Sequence, residues 1–280
     1  MKLFHVDVFS DTPFAGNGLT VVLPETMLSA NIMQQIAFEF KQFETIFLLQ
    51  EKEDTFTARI FTVEEELDFA GHPILGACAV IHQEFFPLNT MKEITFRLNT
   101  KSVTTTSKKI NQHYQVTMNQ GVPKWGSVVS SVWQKKYCKA LNLSPDDLCP
   151  DYPMEVVSTG LPYLLVPLQK NLANAHIQVT NLEALLQENG AKFVYLFDVK
   201  EMEGRTWDNL GAVEDVATGS AAGPMGAYLY QHGCFKPEEL IHINQGQYVG
   251  RPSLLTVSKE TATGAILVSG DVAMVARGEL

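Results

Sequence analysis

Cysteine is scarce in this chain, with four thiols in 280 residues, at Cys78, Cys138, Cys149 and Cys234. None forms a CxxC pair and none has a histidine at metal-ligand spacing, so neither a disulfide framework nor a structural zinc site is expected. Basic blocks are missing too. Acidic residues outnumber basic ones by 31 to 21, for a net charge of -10. That balance argues against a phosphate-tracking patch and so against nucleic acid as a partner. The acidic excess reads as a solvated surface. The longest mostly apolar run, Phe69 to Ile81, contains His72 and is too short to span a bilayer. The opening residues put His5 and Asp7 where a secretion signal needs apolar side chains. A cytoplasmic protein without a membrane partner is the expectation. Nucleotide loops are also lacking. There is no GxxxxGK[ST] and no GxGxxG behind a strand, which disfavours a nucleotide or dinucleotide cofactor. Ser220 sits in Thr-Gly-Ser-Ala rather than GxSxG and reads as a weak nucleophile.

What the chain does have is a core and many short strands. Hydrophobic residues make up 45% of it, ample for one large domain or two moderate ones. Residues 3–9 alternate as a strand, and Leu19 to Leu23 reads as a second. Ser29 caps a helix with an apolar stripe at Ile32, Met33, Ile36, Ala37 and Phe40. Thr45 to Leu49 and Arg59 to Thr62 are β-rich, and Ile74 to Ile81 is helical. Strand-like runs follow at 93–98, 102–106 and 114–118. Residues 121–126 read as a linker into a second cycle. That cycle has a helix over 128–143, a strand over 156–168 broken at Gly160-Leu161-Pro162, a helix over 182–187 and a strand over 193–197. A last helix opens at Ala217-Thr218-Gly219-Ser220, and strands close the chain. Many strands with few helices, in no regular βαβ order, predict an α+β fold.

One internal echo stands out. Ala70-Gly71-His72 and Thr218-Gly219-Ser220 each precede a helix of small residues, half a chain apart. Each has an acidic residue just upstream, Asp68 and Asp215. Helix N-termini present free N–H groups and partial positive charge, which suits carboxylates. Small-Gly-polar triplets also simply start helices, and both readings stand. Pro224 favours a cap at or near Ser220, or a loosened first turn, because a deeper proline removes a helical hydrogen bond. Glu44 lies at a helix-to-strand junction beside Phe43. Desolvation there would raise its pKa above ~4.3 and let it exchange protons near neutral pH. A surface glutamate closing a helix is the other reading. His72 is either a proton-transfer group or a histidine packed on its own helix start. Asp215 either orients a substrate or caps the 217–220 turn.

These segments resemble the phenazine-biosynthesis PhzF-like family. The likeness lies in Phe9 to Asn17, Phe43-Glu44-Thr45, Arg59 to Thr62, Phe69-Ala70-Gly71-His72-Pro73, Glu214 to Ala221, and Gln245-Gly246 through Ser253. The resemblance runs through nearly the whole chain, in order. It implies a diaminopimelate-epimerase-like fold. Such a fold has two pseudo-symmetric domains, 1–120 and 121–280, each a curled mixed or antiparallel sheet around a central helix. The site would lie in the cleft between them, with the last residues packing back on the first domain. It also implies a homodimer, no cofactor and no metal. The family's activity isomerises a dihydroxyanthranilate-type amino acid by moving a proton between ring carbons. By the same resemblance Glu44 is the acid/base, with His72, Asp215 and Ser220 completing the catalytic set. Gly71, Thr218 and Gly219 line the substrate site. The chain departs from the family pattern at Gly18, Val63 and Val216, and Glu65-Glu66-Leu67-Asp68 is unusually acidic. None of these changes touches the four polar residues. Neither helix-start motif contains a cysteine, which disfavours a two-thiol racemase. The expectation is an isomerase moving a proton on a small carboxylate-bearing molecule. A non-catalytic binding module on this scaffold, or an amino- or hydroxy-acid epimerase, are the alternatives.

Overall fold

A computed structural model describes all 280 residues, 1–280. The chain divides into two compact units: Met1–Asn119 with Ser269–Leu280, and Gln120–Val268. The class is α+β.

In the first unit the order is β1 (Lys2–Val8), β2 (Asn17–Leu23), α1 (Ala30–Phe40), β3 (Glu44–Lys52), β4 (Thr55–Phe61), β5 (Glu66–Leu67), α2 (Gly71–Phe85), β6 (Met91–Arg97), β7 (Ser102–Ile110) and β8 (His113–Asn119). In the second it is β9 (Lys124–Val128), α3 (Ser131–Ala140), β10 (Glu155–Ser158), β11 (Pro162–Leu168), α4 (Leu182–Gln187), β12 (Phe193–Asp198), β13 (Glu203–Arg205), α5 (Gly219–Gln231), β14 (Ile241–Gln245) and β15 (Ser253–Lys259). The final strand, β16 (Ile266–Glu279), begins in the second unit and ends in the first.

The first unit is a sheet closed on itself. Its strands run β1-β2-β3-β4-β6-β7-β8-β16, and β16 pairs back onto β1. Closure leaves no open edge along this path. The sheet encloses α2, whose residues Gly71 to His82 are all buried. A helix apolar on every side has to be buried, and this one is. Its fit depends on Gly76. A Cβ there would lie 2.4 Å from Leu19 Cδ2, 3.0 Å from Val8 Cγ2 and 3.1 Å from Val6 Cγ2. His82, towards the end of this helix, is satisfied by Ser107 Oγ at 2.8 Å and the Asn89 carbonyl at 2.9 Å. On the other face of the sheet α1 covers Val22, Phe47 and Phe61 with Met33 and Ala37. Ser29 Oγ accepts from the Ile32 N–H, the expected cap, and Lys41 ends the helix in the left-handed region at φ 53°.

The second unit repeats the idea with a mixed sheet, β9-β10-β11-β12-β13-β14-β15, in which β11–β12 and β13–β14 are parallel. Its central helix, α5, is buried almost end to end. Gly226 lets it approach β15, since a Cβ would meet Val257 Cγ1 at 2.4 Å. α3 and α4 pack on the far side, around Tyr137, Leu141, Leu164, Leu182 and Leu186.

Two local expectations change. Residues 124–128 are a strand, not part of a linker. Their side chains are all exposed, so no burial pattern announces them, and Gly126 marks close approach to Val156 rather than a turn. α5 is capped by Thr218, not Ser220. Pro224 thus lies deeper in the helix and brings no N–H to the Ser220 carbonyl, while in the first turn the Ala221 and Ala222 N–H groups both donate to the Thr218 carbonyl. No helix is long and apolar enough to cross a membrane.

Candidate active site

Glu44 opens β3, and its orientation follows from strand register. β3 pairs in parallel with β2, placing Glu44 beside Leu19. Neighbours in register point to the same face. Leu19 packs on Gly76 of α2, so Glu44 faces that helix too. His72 stands one turn before Gly76, on the same side of α2. The outcome is a contact of 3.3 Å between His72 Nε2 and Glu44 Oε2, with side chains only 7% and 15% exposed. The two atoms face one another but are not aligned for a linear hydrogen bond. Phe43, which the sequence offered as the desolvating neighbour, is itself exposed. The burial of Glu44 comes from facing α2.

Burial pushes the His72 imidazole down to about 3, so it is neutral at physiological pH. The helix start it sits on works in the same direction. The pair is therefore not an ion pair of His⁺ with Glu⁻. α2 begins at Gly71 after Ala70, and Ala70 supplies no side-chain cap. Its first N–H groups have no donor-satisfying residue from the cap position, an arrangement suited to an anion.

The other helix start is a hydrogen-bonded cluster. Thr218 Oγ1 donates to Asp215 Oδ2 at 2.5 Å. Gln245 Nε2 donates to Thr218 Oγ1 and to the Asp215 carbonyl, both at 3.0 Å. Gln245 Oε1 accepts from the Thr218 N–H at 3.1 Å and from Tyr195 OH at 3.0 Å. Gln120 Nε2 donates to the Gly219 carbonyl at 2.9 Å, and Gln120 Oε1 accepts from Thr159 Oγ1 at 2.7 Å. Ser220 Oγ and Tyr163 OH share a hydrogen bond of 2.7 Å. Upstream, Arg205 grips Glu214 through two hydrogen bonds of 2.8 and 2.6 Å and donates to the carbonyls of Leu172, Ala173 and Ala175.

Thus Glu44, Gly71 and His72 come together in the first unit, and Asp215, Thr218, Gly219 and Ser220 in the second. Asp215 and Thr218 are bonded to each other through their side chains, across the turn that precedes α5. Sequence reasoning left out Gln120, Tyr163 and Tyr195, and met Gln245 only within a matched segment. Gln245 did carry a signal. In β14 the buried phase is Ile241, Ile243, Gln245, a polar residue where the alternation calls for an apolar one. No group of three or more His, Cys, Asp or Glu side chains is placed to hold a metal ion.

Comparison with known proteins agrees with this architecture. The family model described as phenazine biosynthesis-like protein matches residues 6–278. A trans-2,3-dihydro-3-hydroxyanthranilate isomerase of Pseudomonas chlororaphis is 30% identical over 98% of this chain and 97% of its own length. A solved Pseudomonas aeruginosa structure, described as a predicted epimerase, is 43% identical with a TM-score of 0.93, covering 100% of this chain and 98% of the other. The fold extends to a probable proline racemase of Agrobacterium radiobacter, TM-score 0.62 at 12% identity over 100% and 92% of the two chains. That likeness is one of fold. With a family model spanning almost every residue and full-length relatives named as isomerases, this chain belongs to the phenazine biosynthesis-like family and to its enzymes of the isomerase class.

Proposed function

We propose that the protein moves a proton on a small carboxylate-bearing substrate by general acid/base catalysis through Glu44. The observation that carries this reading is the buried contact of Glu44 with a neutral His72 at a helix N-terminus. Two lone-pair-bearing atoms 3.3 Å apart hold one proton between them more comfortably than none. Glu44 can therefore accept a proton from substrate carbon and give it back at another. One proton is taken and one is returned, so substrate and product have one formula. Such a reaction needs neither an electron acceptor nor a cofactor. His72 serves as the neutral partner that steadies Glu44 in both protonation states.

The start of α2 at Gly71 and the start of α5 at Gly219 each present backbone N–H groups and a macrodipole end that suit a substrate carboxylate. Asp215 and Ser220 orient the polar groups of the substrate, with Tyr163 fixing the Ser220 hydroxyl. Thr218 contributes by holding Asp215. The anthranilate-type substrate in the name of the Pseudomonas chlororaphis relative supports a carboxylate as the class.

The test is deuterium wash-in. In D2O the wild-type protein should exchange a carbon-bound proton of trans-2,3-dihydro-3-hydroxyanthranilate or a related cyclic amino acid. Glu44→Gln should lose this by 10²-fold or more while binding the same compound. Full exchange by Glu44→Gln would sink the assignment. A second reading, epimerisation, is favoured by the description of the Pseudomonas aeruginosa structure. Loss of optical activity at a stereocentre, in step with exchange, distinguishes it.

A further inference from the structure

The second unit contains a cavity of about 510 Å³ that no part of the reaction above uses. Its volume falls in the range of small-molecule pockets. Asn171, Asp198, Glu201, Glu203, Asn244 and Tyr248 contribute to its lining. No lysine or arginine does. Arg205, two residues after Glu203, is already committed to Glu214 and three backbone carbonyls. The lining is thus rich in acceptors and carries three carboxylates, of which Glu201 has the exposed Lys200 at 3.7 Å as partner.

Glu203 is the decisive residue. It is only 5% exposed. It accepts a hydrogen bond from the Gln247 backbone N–H, yet its Oε1 is buried with no hydrogen-bond partner. A buried carboxyl oxygen without a donor is costly, and a donor-bearing cation removes that cost. We propose that this cavity binds a small organic cation of the diamine type, with one ammonium group drawn to Glu203. The charge of the lining selects the cation, and the amide oxygens of Asn171 and Asn244 take further N–H donors. Gln245 also lines the cavity and holds Thr218 and Asp215, so an occupant sits against the residue that fixes the start of α5.

The charged and titratable groups around Glu203 are Arg205, Glu214, Tyr195, Tyr248, Asp198 and Glu201 with its partner Lys200. Desolvation dominates and pushes the Glu203 carboxyl up to about 7. The carboxylate form favours a cation, so binding should tighten between pH 6 and pH 8.

The experiment is calorimetric titration of the full chain with 1,4-diaminobutane at constant ionic strength. 1,4-Butanediol serves as the uncharged control. Saturable binding of the diamine alone, tighter at pH 8 than at pH 6 and weakened at least tenfold by Glu203→Gln, is the expected result. Asn244→Trp, which fills the cavity from an exposed lining position, should abolish it, and this arm decides the matter if Glu203→Gln fails to fold. No saturable heat with the wild-type protein, equal binding of the diol, or unchanged affinity in a folded Glu203→Gln or Asn244→Trp protein would overturn the proposal.

Discussion

His72 Nε2 lies 3.3 Å from Glu44 Oε2 although the imidazole is uncharged. The contact is therefore one of tautomers, not of opposite charges. If Nε2 carries the ring proton, it faces the carboxylate. If Nδ1 carries it, Nε2 faces a carboxylic acid. Proton movement on Glu44 and tautomer exchange on His72 are then linked.

This makes His72 spectroscopically silent where ordinary histidines titrate. Burial lowers its pKa from 6.5 to about 3. The imidazole ¹⁵N shifts of His72 should stay in the neutral range from pH 8 down to pH 5, while an exposed histidine moves. The sign for stability follows. Below about pH 6.5 the unfolded chain takes up a proton at His72 that the folded chain refuses. His72 thus subtracts stability as pH falls below that point. A His72 titration near pH 6.5 would show that the ring is solvated and that the tautomer argument fails.

Gly76→Ala tests the packing that brings the pair together. Alanine gains up to about 1 kcal/mol of helix propensity. Its methyl group would enter space occupied on three sides by Leu19, Val8 and Val6. Overpacking costs about 1–3 kcal/mol, so a net loss of about 1–2 kcal/mol is expected. A lower urea midpoint with an unchanged slope would report it. Because Leu19 is the register neighbour of Glu44, a proton-exchange assay on the folded variant should fall as well.

These two cases show what was legible in the chain and what was not. The helix starts at Gly71 and Gly219 were readable because small residues, proline and turn chemistry are local signals. Glu44 could be placed at a strand start, but its facing depends on parallel pairing with Leu19, which sequence spacing does not encode. Phe43 was the nearest apolar neighbour in sequence and is exposed in the fold. Closure of the first unit was likewise hidden, since it joins β1 to β16 at opposite ends of the chain. The Gln120–Gly219 hydrogen bond spans 99 positions and leaves no local trace. Gln245 did leave one, as a polar residue in the buried phase of β14.

Arg205 and Glu214 offer a test of how Asp215 is delivered to α5. Both side chains are about nine-tenths buried, 8% and 11% exposed. Arg205→Met leaves Glu214 buried without its partner and strips a donor from three carbonyls. A loss of about 3–5 kcal/mol is expected. Arg205→Lys keeps the charge but not the planar fork, and should still be clearly destabilising. In the double variant Arg205→Met/Glu214→Leu much of the loss should return, because no lone charge remains. A double-mutant cycle in urea measures this coupling. Strict additivity of the two single changes would mean that the pair does not act as a unit.

Glu203 predicts a pH dependence of the opposite sign to that of most carboxylates. Its folded pKa is raised from 4.5 to about 7, chiefly by desolvation. Between those values the unfolded chain has released the proton and the folded chain still holds it. Stability contributed by this group is full at low pH and lost as pH rises from 4.5 to about 7, after which the penalty is constant. The size is up to about 3 kcal/mol. Glu203→Gln has no such proton, and groups common to both proteins cancel in the comparison. The stability of Glu203→Gln relative to wild type should therefore climb steadily between pH 4.5 and 7 and then level off. Chemical denaturation of both proteins across that range measures it. A flat difference would show that the carboxyl is ionised at its ordinary pH, and it would remove the reason for expecting diamine binding to tighten between pH 6 and pH 8.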